Sequence, residues 1–118
     1  MKFAAFGFGL LLVALVVFAW MGFPTAITVR NNSDRTLNGI LVVVQDRKIS
    51  FSSLRPGDSE RRWHRNSGAD DHFTFTAVRD DGMKMKKEGG YITSGSFFGS
   101  VEFIVPPVGE IAFTEKWN

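Results

Sequence analysis

Apolar and polar positions divide the chain into two regimes. From Phe3 to Phe23 the residues read FAAFGFGLLLVALVVFAWMGF, with no charged side chain among them. Beyond Pro24, apolar residues come in short groups separated by turn residues. A helix over the first stretch would be about 31 Å long, close to the ~30 Å hydrocarbon core of a bilayer. The pattern predicts one transmembrane helix, with Phe3, Leu10, Leu15, Trp20 and Phe23 spread along its length. Trp20 lies near the far end, where an amphipathic ring suits the interface.

The rest of the chain has the period of strands. Ile27 and Val29 alternate with Thr28 and Arg30, as on a half-buried strand. Ile40 to Val44 reads ILVVV, a β-branched run too short for a helix. Ile49 and Phe51 alternate with serines, and Ser59 to Arg65 reads as a further strand with Trp63 facing inward. His72 to Arg79 places Phe73, Phe75 and Ala77 on one face, and Met83-Lys84-Met85-Lys86 puts both methionines inside. Gly89-Gly90 interrupts that pattern, and Gly95 suggests a bulge in the segment from Tyr91 to Phe98. Val101 to Val105 and Glu110 to Trp117 supply the last strands, with Ile111 and Phe113 on one side.

The turns between these strands have their own chemistry. Asn31 to Arg35 is a cluster of turn formers, and Gln45 to Lys48 reverses the chain. Pro56-Gly57 suits the centre of a type II turn, because proline presets φ and glycine accepts positive φ. Asp80-Asp81-Gly82 signals a hairpin. Seven to nine short strands result, and no segment after Pro24 has a helical period. The expected fold is all-β: a small antiparallel β-sandwich, immunoglobulin-like in layout, preceded by one N-terminal transmembrane helix. Residues 1–24 form the anchor in this reading and residues 25–118 the β domain, with almost no linker between them.

Length and composition narrow the function. The chain has 118 residues, enough for one soluble domain beside the anchor. Of its 14 Lys and Arg, Lys2 precedes the apolar stretch, leaving 13 against 12 Asp and Glu in the β domain. So balanced a domain gives no global case for nucleic acid, and none is expected as a partner. There is no cysteine, which removes disulfides, thiol catalysis, thiolate metal sites and a lipid-modified cysteine.

The apolar stretch is longer than a signal-peptide core, and Ala19 to Ala26 offers no clean small-x-small cleavage site. An uncleaved anchor is the expectation, and a cleaved signal is its competitor. Lys2 and the amino terminus favour a cytoplasmic N-terminus, although Arg30 and Arg35 on the far side pull the other way. The β domain then lies outside the cytoplasm, in the periplasm of a Gram-negative cell. Ala5 and Gly9 form a small-xxx-small pair on which two spans can approach, so a homo-oligomer is one option.

Candidate chemistry is sparse. If residues 64 and 72 faced each other across a hairpin centred on Gly68, His64 and His72 would share an outer face. With Asp70 or Asp71 they would offer ligands to a divalent metal such as Zn²⁺ or Cu²⁺. A one-residue change of register would separate the histidines. Arg61-Arg62-Trp63-His64-Arg65 is a basic run that anionic headgroups would attract, but strand alternation splits its charges between two faces. No Gly-x-Ser-x-Gly elbow, P-loop or His-Glu-x-x-His motif occurs. The leading expectation is a membrane-anchored, non-catalytic interaction module of the cell envelope that needs no cofactor. The bilayer and an envelope protein are its partners, and a metal-binding envelope protein is the alternative.

Overall fold

The computed structural model describes residues 24–67, 69–93 and 99–117. The predicted anchor, its Ala5/Gly9 pair and the bulge at Gly95 lie outside those residues. Among the described residues eight strands form: β1 (Pro24–Asn31), β2 (Leu37–Val44), β3 (Arg47–Ser50), β4 (Ser59–Arg65), β5 (Asp71–Arg79), β6 (Lys84–Ile92), β7 (Gly99–Val105) and β8 (Ala112–Trp117). They build two four-stranded sheets, with orders β4-β1-β7-β8 and β3-β2-β5-β6. No helix among the described residues is long and apolar enough to cross a membrane.

The two sheets share one core. Ile27, Val29, Val101 and Phe103 of the first sheet belong to the same buried cluster as Val42, Val44, Phe73 and Phe75 of the second. Phe75 stacks on Phe103 across the layers at 5.1 Å, and Phe113 touches both Phe103 and Phe73. Alternation along β1 and β5 is what delivers these side chains to one side of each sheet.

Three expectations need correction. The arrangement is not wholly antiparallel, because β1 and β7 run parallel, Thr25 beside Gly99 and Asn31 beside Val105. The strand order also departs from the immunoglobulin constant type, in which the first two strands are neighbours. Here β1 lies between β4 and β7, and β2 is in the other sheet. Third, β4 and β5 are not a hairpin. Strand β4 pairs with β1, Pro24 opposite Arg65 and Thr25 opposite His64, so residues 66–70 carry the chain from one sheet to the other.

Turn chemistry performs as the sequence suggests. Asp58 N–H donates to the Arg55 carbonyl at 3.0 Å, and Gly57 takes φ of 87° between them, as a type II turn requires. The hairpin at Asp80–Gly82 closes with Gly82 N–H donating to the Arg79 carbonyl at 2.9 Å. The double glycine does not end a strand: β6 runs through it, with an extra residue between the partners of Asp71 and Phe73. Gly90 has φ of +70°, and a Cβ there would lie 2.3 Å from Phe113 Cζ. Glycine is needed because the Phe113 ring rests on that backbone.

Register places all entry points at one end. Pro24 faces Arg65, Thr25 faces Gly99, and Gly99 faces Trp117. The end of the domain where the apolar N-terminal stretch joins therefore also carries the 66–70 connection and the close of β8.

Candidate functional site

At this end lies a buried polar cluster centred on Gln45. The β2–β3 turn holds both Gln45 and Asp46 at positive φ, 50° and 60°, without glycine. Such a conformation costs about 1–2 kcal/mol per residue and needs compensation. Gln45 supplies it by folding its amide under the end of the sheets, where it is buried. Its Nε2 donates to Asn66 Oδ1 at 2.9 Å and to the Ala69 carbonyl. Its Oε1 accepts from Ser67 N–H at 3.0 Å and from His64 Nε2 at 2.8 Å. The backbone N–H of Gln45 donates to Asp71 Oδ2 at 2.6 Å.

This geometry fixes the state of His64. A backbone N–H can only donate, so the atom that accepts from Ser67 is the amide oxygen. His64 Nε2 shares that oxygen and must therefore carry the proton. Burial lowers the His64 pKa below its ordinary 6.5, and the Arg47 charge pushes the same way. The neutral Nε2–H imidazole is thus the resident form near neutral pH. The Asp71 carboxyl is also held below its ordinary value, chiefly by the Gln45 and His72 backbone N–H groups.

A second buried amide works at the opposite end. Asn31 Nδ2 donates to the carbonyls of Arg35 at 2.7 Å and Leu54 at 3.0 Å, and its Oδ1 accepts from Ser33 N–H at 3.0 Å and from the Ser33 hydroxyl. Both amides spend all four bonding positions within the protein. No buried side-chain nitrogen or oxygen among the described residues lacks a partner. The two amides hold loops from different strands together.

The proposed metal ligands are not assembled. His64 is 2% exposed and faces the space between the sheets, whereas Trp63, expected inside, is 63% exposed. His72 lies on the solvent side of β5, with Nδ1 3.5 Å from Asp71 Oδ1 and Nε2 4.0 Å from Glu88 Oε2. Asp70 is exposed in the inter-sheet connection. The histidines belong to different sheets, so the shared face that a β4–β5 hairpin would have created does not form. Among the described residues no group of three or more His, Cys, Asp or Glu could hold a metal ion.

The basic run is split between two faces as strand alternation requires, but the set carrying Trp63, expected inside, is the outward one. Arg61, Trp63 and Arg65 pair with Thr28, Ala26 and Pro24, and all three project from the outer face of the first sheet. Lys116 joins them, since it faces Ser100, which in turn faces Ala26. Between them is a hollow of about 390 Å³, walled by Arg61, Trp63 and Lys116 over Pro24, Ala26 and Ser100. The alternation that splits the run leaves Arg62 and His64 on the other side, not Arg61 and Arg65. Sequence reasoning missed Gln45, Asn66 and Lys116. The first two look like ordinary loop residues, and Lys116 gains meaning only through sheet order.

No family model matches the chain, and neither does any curated protein. A solved NMR structure of a protein from Eubacterium rectale is similar in fold, with a TM-score of 0.56, 15% sequence identity, and coverage of 77% of this chain and 86% of that one. At that identity the likeness is one of fold alone.

Proposed function

We propose that the chain is a single-pass membrane protein whose β domain is a non-catalytic interaction module of the cell envelope. The stretch Phe3–Phe23 forms the retained transmembrane helix, with the N-terminus cytoplasmic and the β-sandwich outside, in the periplasm of a Gram-negative cell. One observation carries this reading: the uncharged stretch Phe3–Phe23 has the length of a bilayer span and runs into the first strand at Pro24. Anchoring raises the local concentration of the module for any partner in the same membrane. Ala5 and Gly9 would let two copies meet within the bilayer.

The intact mass of the chain from a membrane fraction tests the anchor. The expected result is the full 13.2 kDa chain, resistant to extraction by alkaline carbonate. Loss of about 20–26 residues, the size of a signal peptide, would overturn it.

A further inference from the structure

We infer that the outer face of the β4-β1-β7-β8 sheet lies against anionic lipid headgroups, so that the domain leans on the membrane surface instead of standing clear of it. The inference rests on the anchored reading and adds the orientation of the domain. Arg65 sits beside Pro24, where the apolar stretch enters, and Trp63 and Lys116 follow on the next row of the same face. Arg61 extends the charge one row further. The acidic group in their midst, Glu102, is occupied by Arg30 at 3.0 Å. The face is therefore cationic where it is nearest the bilayer, with an exposed indole among the charges.

That combination suits a headgroup layer. Basic residues are drawn to an anionic surface, and tryptophan favours the depth at which an apolar ring meets polar headgroups. The short connection to Pro24 leaves little reach, so the surface most available to this face is the one the anchor crosses. The solvent side of the other sheet differs: around β5 and β6 it carries Glu88 and His72 beside Lys84 and Lys86, a mixed surface.

Because the chain lacks cysteine, single thiols can report the contact. Ser100→Cys places one on the proposed face, and Ser50→Cys places one on the outer side of the second sheet. The full-length variants are incorporated into nanodiscs of phosphatidylcholine, with and without phosphatidylglycerol, and alkylated with an uncharged polymer maleimide. The thiol at position 100 should react about tenfold more slowly in the anionic discs, and the thiol at 50 should be unaffected. Replacing Arg61, Arg65 and Lys116 by Gln should abolish that protection. Equal reactivity at both positions in anionic discs, or protection that survives the triple replacement, overturns the inference while leaving the anchor intact. Failure of the chain to enter discs at all would overturn the anchored reading and this inference together.

Discussion

His64 Nε2–H and Ser67 N–H both donate to the one oxygen of the Gln45 amide, and the protonation state of His64 is set by these neighbours. In the folded chain burial disfavours the charged imidazole; in the unfolded chain the ordinary value of 6.5 applies. A group with a lowered folded pKa binds more protons when unfolded, so stability is fully present above pH 6.5 and is lost as pH falls below it. The expected slope is up to about 1.4 kcal/mol per pH unit until the folded group also protonates. Urea midpoints at pH 7 and pH 5.5 measure it. His64→Gln, which keeps a donor for Gln45 Oε1, should flatten the slope in that range; an unchanged slope would place the titration elsewhere. Asp81, pushed down to about 2 chiefly by its hydrogen bond with Arg79, acts at lower pH and does not confuse the window.

Strand by strand, the open flanks are guarded in a consistent way. The sheet edges are β3, β4, β6 and β8, and each carries a charge on the side of the sheet that faces the core. Arg47 is opposite Val44, Arg62 opposite Ile27, Lys87 opposite Phe75, and Glu115 opposite Val101. All four partners are buried. A second strand docking on such an edge would have to bury that charge, which is how β proteins discourage edge-to-edge pairing. A face of the domain is therefore better suited to contact than an edge. Lys87→Val should unmask the β6 edge and increase the share of assemblies larger than those of the parent chain, seen by sedimentation velocity in matched detergent. An unaltered distribution would mean that the bulge at Gly90 protects this edge unaided.

For the molecule as a whole, both sheets depend on one aromatic junction. Phe103 stacks on Phe75 of the facing sheet and touches Phe113 of its own. Phe103→Ala should cost about 3–5 kcal/mol, with the β domain still unfolding in a single transition by circular dichroism and fluorescence. Two separated transitions would show that the sheets are held independently. At each end a buried amide, Asn31 or Gln45, closes the space beside this junction by tying loops from different strands together.

How much of this was legible beforehand follows from what local pattern can encode. The strand at Ser59–Arg65, the face shared by Phe73, Phe75 and Ala77, and the Pro56-Gly57 turn were readable, because period, β-branching and turn chemistry are properties of neighbouring residues. The uncharged run Phe3–Phe23, on which the anchor reading stands, is likewise a property of the sequence itself. Hairpin neighbours such as β5 and β6 were readable from their turn, but which strands pair across longer connections was not. Strand β4 found β1 instead of β5, and that choice buried His64, exposed Trp63, parted the two histidines and gathered Arg61, Arg65 and Lys116 onto one face. Met83 likewise lies exposed outside β6, although alternation alone put it inside with Met85. A strand's two faces are fixed by its own residues, but which face meets the core depends on partners distant in the chain. Only the tertiary structure settles that.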